Sequence, residues 1–223
     1  MARARRGYNR RTLRTRAGPA RGPTSLGART RVASAPTNAR GRQVLREIFH
    51  LLVGTVAGLL GSTLLLRVYL AWLRVSRSNP IAIFCVALTD WMVAPLRRLM
   101  PARGRIDGAS LVAALLVALI YVFLVEWIEF EGLASWFLFL PSVIFLLIRW
   151  TLYLLLFLLV VNSLLSLINP HAPLAPTFDV LTRPMLAPLR RLIPPVGGFD
   201  LSPMVLVFVI LVGLTVLDEL VRL

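Results

Sequence analysis

A chain of 223 residues that is 57% hydrophobic, with a mean hydropathy of +0.77, carries more apolar surface than one soluble core of its length would bury, so a bilayer is its expected solvent. The net charge of +15 comes from 25 basic residues, all arginine; 12 of them lie in the first 44 positions, so the charge is local and a nucleic-acid partner is not expected. The lone Cys85 and the two histidines, His50 and His171, exclude an internal disulfide and leave no metal cluster or cofactor site to propose.

Residues 1–44 hold Arg, Gly, Pro, Ser, Thr and Ala with no acid and few aliphatics, a composition that cannot offset ordering entropy and reads as a disordered basic tail. It fits an organellar transit peptide, a polybasic lipid-binding arm or a nucleic-acid-binding tail; translation from near Val44 or Leu45 would remove it altogether. A first span, "IFHLLVGTVAGLLGSTLLLRVYLAWL", follows from Ile48 to Leu73 and exceeds the roughly 20 residues needed to cross hydrocarbon. Arg67 falls late enough in that span for its guanidinium to snorkel to the headgroups.

Residues 80–99 are apolar but bounded by proline, and read as a short amphipathic or re-entrant segment at the membrane surface. The second span runs from 109 to 128 and ends in an acidic cluster, Glu126, Glu129 and Glu131. The long apolar stretch that follows, broken by Pro141 and Arg149, reads as an interfacial or tilted lead-in over 133–148 and a third span over 150–168. A second short amphipathic piece occupies 173–192, and the fourth span covers 202–220, with Pro203 suited to its first turn. The expected fold is an all-α membrane protein of about four transmembrane helices.

Within it the chain repeats itself. At an offset of 93, "LTDWMVAPLRRLMPARGRIDGAS" from Leu88 and "LTRPMLAPLRRLIPPVGGFDLSP" from Leu181 match at 12 of 23 positions. The organisation is therefore a tail (1–44), a first repeat (45–131) and a second (132–223). An even number of spans per repeat places both motif loops on one side, as two parallel repeats. Nine loop arginines (74, 77, 97, 98, 103, 105, 183, 190 and 191) put that side in the cytoplasm by the positive-inside rule. The basic tail would then lie outside against the same rule, a conflict that disappears if the tail is not made.

In each motif, prolines bracket the arginine pair: Pro95 and Pro101 around Arg97 and Arg98, Pro188 and Pro194 around Arg190 and Arg191. They are expected to limit each "PLRRLxP" to one or two helical turns. Adjacent helical positions diverge by about 100°, so one arginine of each pair suits a carboxylate and the other a lipid phosphate. Asp107 and Asp200 stand where they can cap the next span and pair with an arginine; a conformational or partner-binding role is the sharper alternative. Gly104, Gly197 and Gly198 supply turns between arginine and aspartate. Asn162 is expected to hydrogen-bond between helices, and haem ligation at His50 would need a second donor that is absent from the sequence.

The composite of "LLLRVYLAWL", "NP", "APLRRLMP" and "GRIDGAS", followed by "APLRRLIP" and "GGFDLSP", resembles the YggT family of small integral membrane proteins in its tandem two-repeat bacterial form, over about residues 48–221. Two positions depart from it: Trp91 stands where the second repeat keeps Pro184, and the Ser-Trp that commonly ends the preceding span appears as Ala71-Trp72 and Ser166-Leu167. The resemblance implies a multi-pass protein of the bacterial inner membrane, linked to assembly of membrane complexes, cell division or osmotic-stress tolerance. With no catalytic triad, phosphate loop or paired carboxylates within a span, the sequence reads as a non-enzymatic scaffold or assembly factor. Its expected partners are anionic lipid headgroups and a membrane or cytoplasmic protein, and a homo-oligomer is compatible with them. The alternative is a small ion or solute channel or transporter, suggested by proline-broken segments at matching positions of both halves.

Overall fold

A computed structural model describes residues 37–100, 107–130, 136–169, 171–192 and 200–222, and these form helices α1 (Thr37–Trp72), α2 (Pro80–Leu99), α3 (Gly108–Phe130), α4 (Trp136–Ile168), α5 (Ala175–Leu192) and α6 (Ser202–Arg222). No strand occurs among the described residues. Arg42–Leu223 makes one compact unit. Each repeat contributes a long helix, a helix ending in the arginine pair, and a final helix beginning beside the motif aspartate.

Five helices are long and apolar enough to cross a membrane: Gln43–Trp72, Pro80–Leu99, Gly108–Ile128, Phe139–Ile168 and Ser202–Val221. Four had been expected, and the addition is α2. Local chemistry explains why α2 is a full helix. Asn79 caps it, its side-chain oxygen accepting from the Ile81 N–H at 3.0 Å, and Pro80 occupies the first turn, where a missing N–H costs nothing.

Three expectations about helix length are corrected here. The arginine pairs do not sit on elements of one or two turns but in the last turns of α2 and α5, with Pro95 inside α2 and Pro184 and Pro188 inside α5. An interior proline forfeits one hydrogen bond, and packing of the buried faces holds each helix through it: Cys85, Thr89 and Val93 in α2, Phe178, Leu181, Thr182 and Leu186 in α5. Likewise 133–148 is no separate lead-in; from Trp136 it continues into α4 through Pro141. Helix α1 starts at Thr37, so its first eight residues belong to the tail expected to be disordered, while residues 1–36 lie outside the described residues.

Packing gives the directions. Helix α4 packs against α3, α5 and α6, with α2 on α3 and α5 on α6. Gly54 of α1 lies by Tyr121, late in α3, whereas Arg67 meets Asp107 at the start of α3, so these helices are antiparallel. Gly61 of α1 rests on Trp150 of α4, and Leu70 shares a cluster with Leu158, so α1 and α4 run the same way. Leu159 clusters with Ile210, while Arg149 pairs with Asp218, so α6 opposes α4 as α3 opposes α1. The repeats are parallel, and both motifs lie at one end of the bundle, the motif end.

At that end α2 lies crosswise. Arg67 bonds to Thr89 and Asp90 in the middle of α2 and also approaches Asp107, which bonds to Arg97 at the end of α2. Positions 89 and 97 are about 12 Å apart along a helix, yet both meet the same Arg67 and Asp107 pair. Helix α5 is tied there too, by Asn79 to Thr177 (2.9 Å), Tyr69 hydroxyl to the Leu181 carbonyl (2.7 Å), and Arg190 to Asp200. Length and composition thus qualify α2 as a span, while its contacts keep it at the motif end.

Candidate functional site

The first repeat builds a polar cluster around one buried arginine. Arg67 is 5% exposed; Nη1 donates to Thr89 Oγ1 at 3.0 Å, Nη2 to Asp90 Oδ1 at 2.9 Å, and Nε lies 3.6 Å from Asp107 Oδ2. The expectation that Arg67 snorkels to the headgroups is therefore wrong. Snorkelling answers the cost of an unpaired charge in hydrocarbon; Arg67 instead finds carboxylates on α2 and beside α3, at the junction of three helices. Thr89 takes part because its hydroxyl donates to the Cys85 carbonyl at 2.6 Å, which leaves its oxygen lone pair for the guanidinium.

Asp107 joins this cluster to the motif. Its Oδ2 accepts from Arg97 Nη2 at 2.6 Å and from Ser110 Oγ at 2.9 Å, and Oδ1 accepts from the Ser110 N–H at 3.4 Å, at the start of α3. The residue therefore caps α3, as expected, and carries the ionic network besides. Burial opposes its ionisation, but the bonds from Arg97 and Ser110 outweigh that and hold the carboxyl below the usual carboxylate range.

The second repeat keeps the pair and loses the arginine behind it. Arg190 Nε donates to Asp200 Oδ2 at 2.8 Å, and Asp200 Oδ1 accepts from the Ser202 N–H at 2.9 Å. Burial again pushes the Asp200 carboxyl upward, and the bonds from Ser202 and Arg190 bring it below its ordinary range. Thr182, the counterpart of Thr89, repeats the back-bond, donating to the Phe178 carbonyl at 2.9 Å, but no arginine among the described residues bonds to it. Beside it, Arg183 stands where the first repeat has Asp90, and it is exposed.

Of the residues singled out in the sequence, the structure joins Arg97 to Asp107 and Arg190 to Asp200. Arg98 and Arg191 remain exposed, as the divergence of adjacent helical positions requires. Pro95 and Pro188 lie within the helices that carry the arginines. Pro101, Gly104, Pro194, Gly197 and Gly198 fall outside the described residues. Asn162 is half-buried on α4, and the expected interhelical hydrogen bond of its side chain is not found among the described residues.

Sequence reasoning missed Asp90, Thr89 and Ser110 as participants. A signal existed for Thr89, one of the twelve repeated positions, and none for Asp90, which the second repeat lacks. At the opposite end of the bundle a further ion pair, Arg149 with Asp218, ties α4 to α6. No group of three or more metal-ligating side chains occurs among the described residues.

A family model described as CCB3/YggT matches residues 47–128 and again 141–221, one match for each repeat. A relative from Escherichia coli strain K12, named "Uncharacterized protein YggT", is 35% identical over 166 residues, covering 72% of this chain and 84% of the relative. A Vibrio alginolyticus protein, "Uncharacterized protein in proC 3'region", is 35% identical over 159 residues, 70% of this chain and 85% of that protein. A Haemophilus influenzae relative, also named an uncharacterized protein, is 31% identical over 164 residues, with coverage of 72% and 86%. No solved structure matches the chain.

Proposed function

The chain belongs to the CCB3/YggT family, and from that premise we propose that this multi-pass membrane protein is a non-enzymatic scaffold or assembly factor of the bacterial inner membrane. Its docking surface is the motif end, turned to the cytoplasm. The observation that carries this reading is the division of labour on α2. Its inner face is fixed by Arg67, Asp107 and packed Cys85 and Val93, while its outer face presents Ile83, Phe84, Leu88 and Trp91, with Trp91 67% exposed.

The exposed Arg98, Arg183 and Arg191 stand at the same end, where they suit anionic headgroups or an acidic partner surface. A rigid crosswise helix with an apolar outer face and a basic edge is a platform for a membrane or cytoplasmic protein lying against the bilayer. A channel is less well supported, because the charges nearest the bundle interior are engaged with one another: Arg67 is enclosed by Thr89, Asp90 and Asp107.

Photo-crosslinking in cells from residues 84 and 91, with identification of the captured protein, tests the platform. A reproducible partner, weakened when Arg98 and Arg191 become Gln, is the expected result. Reconstitution into liposomes provides the opposing measurement: ion flux abolished by substitution of Arg97 and Arg190 would overturn the scaffold reading. Cysteine labelling at residue 103 checks the topology, and labelling from the periplasmic side would reverse it.

A further inference from the structure

At the end of the bundle away from the motifs, α1 stands off from α4, and side chains fill only part of the space between them. Tyr121 and Trp150 reach across to Gly54, Gly58 and Gly61, leaving an open groove of about 510 Å³. That volume lies in the range of small-molecule sites. Its walls include His50, Gly58, Ser62, Leu146, Arg149 and Tyr153, and its rim is apolar: Leu51 and Leu59 of α1 are 69% and 63% exposed.

We propose that this groove binds one anionic phospholipid from the leaflet opposite the arginine motifs, its phosphate on Arg149 and an acyl chain along the exposed Leu51 and Leu59 of α1. Charge complementarity selects the headgroup. Among the described lining residues Arg149 is the single Arg, Lys, Asp or Glu, and Asp218, its partner through Nη2, lies on α6 and is not one of them. A guanidinium has five N–H donors in a planar fork, so one carboxylate does not exhaust it, and a phosphate is the anion that such a fork takes bidentately.

Position selects the lipid. The groove lies between two spans, and its mouth is bordered by exposed leucines, so the bilayer is its source of ligand. Asp218 is one turn from the end of α6, which places Arg149 beside the end of a 21-residue helix that just crosses the hydrocarbon. A second copy's helix is the competing occupant, because small residues four apart often mark helix contacts. Here those residues already receive side chains of their own chain. A methyl at Gly54 would meet the Tyr121 hydroxyl at 3.2 Å, and one at Gly58 would lie 3.7 Å from the Trp150 Nε1.

Native mass spectrometry of the full chain in mild detergent, titrated with phosphatidylglycerol, phosphatidylcholine or inorganic phosphate, tests this. The expected result is one tightly held phosphatidylglycerol, at least tenfold preferred over phosphatidylcholine, and lost about tenfold in Arg149→Gln and in Gly58→Leu. Asp218→Asn breaks the ion pair but keeps the guanidinium, and is expected to hold the lipid as well as the parent does. Comparing variants cancels binding at the arginine-rich N-terminus and at the motif end, and melting temperatures show whether each variant is folded.

Equal losses in Arg149→Gln and Asp218→Asn would overturn the proposal, since the pair would then act only as structure. So would equal retention of phosphatidylcholine, displacement by inorganic phosphate alone, or a dimer that Gly58→Leu dissolves.

Discussion

The two repeats carry the same arginine and aspartate in the same relation, and yet the aspartates live in different surroundings. Asp107 is 8% exposed and meets both Arg97 and Arg67; Asp200 is 36% exposed and, among the described residues, pairs with Arg190 as its one arginine. The difference comes from one residue outside the motif. Arg67 arrives from α1, and α4 supplies no counterpart, so a shared hairpin became a buried ionic junction in one half and remained a surface pair in the other. Duplicated sequence is thus no guarantee of duplicated energetics, because the worth of an ion pair depends on how far its partners are removed from water.

The largest test of that contrast is removal of each arginine. Arg67→Ala leaves Asp107 and Thr89 without their buried partner and is expected to cost about 3–5 kcal/mol, whereas Arg190→Ala is expected to cost about 0–1 kcal/mol. Thermal unfolding in detergent reads both, and equal losses would erase the distinction between the halves.

Next in size is the contact that seats α1. A Cβ at Gly61 would lie 2.2 Å from the Trp150 ring, while one at Gly213 of α6 would meet Leu152 at an ordinary 3.9 Å. Gly61→Leu should therefore destabilise by at least the 1–3 kcal/mol or so typical of overpacking. Gly213→Ala should melt close to the parent. A tolerated Gly61→Leu would mean that α1 is not held against Trp150.

Acid provides a subtler comparison. Both aspartates are held below their ordinary range, so each stabilises the fold fully above the unfolded value of about 3.9. That stabilisation is lost as the pH falls through the lower folded value. Melting temperature should accordingly drop below about pH 4, and Asp107→Asn should flatten this acid limb more than Asp200→Asn. The reverse order would place the more important carboxylate in the second repeat.

The smallest expected effect concerns the start of α2. Asn79→Ala removes a cap and the bond to Thr177 and is expected to cost about 1 kcal/mol, read as a modest fall in melting temperature. No change would show that packing alone sets the start of α2.

Much of this was legible in the chain. The spans at 109–128 and 202–220 nearly coincide with α3 and α6, because a run of apolar residues bounded by a capping aspartate is a local signal. That one arginine of each pair would meet the following aspartate was legible in the repeat, whereas the choice of Arg97 for Asp107 and Arg190 for Asp200 came from the fold. Other features misled for equally local reasons. Pro95, Pro141 and Pro188 looked like breaks, but a proline weakens a helix without deciding its length once a buried face holds it.

What the sequence determined by itself is the repeat, the helical class, the membrane as solvent and the two capping aspartates, since each depends on composition or on neighbours within about ten positions. What only the tertiary structure decided is the fate of Arg67 and the crosswise placement of α2. The partners of that arginine come from two other segments, and whether a charge is buried or bathed is settled by which helices meet around it.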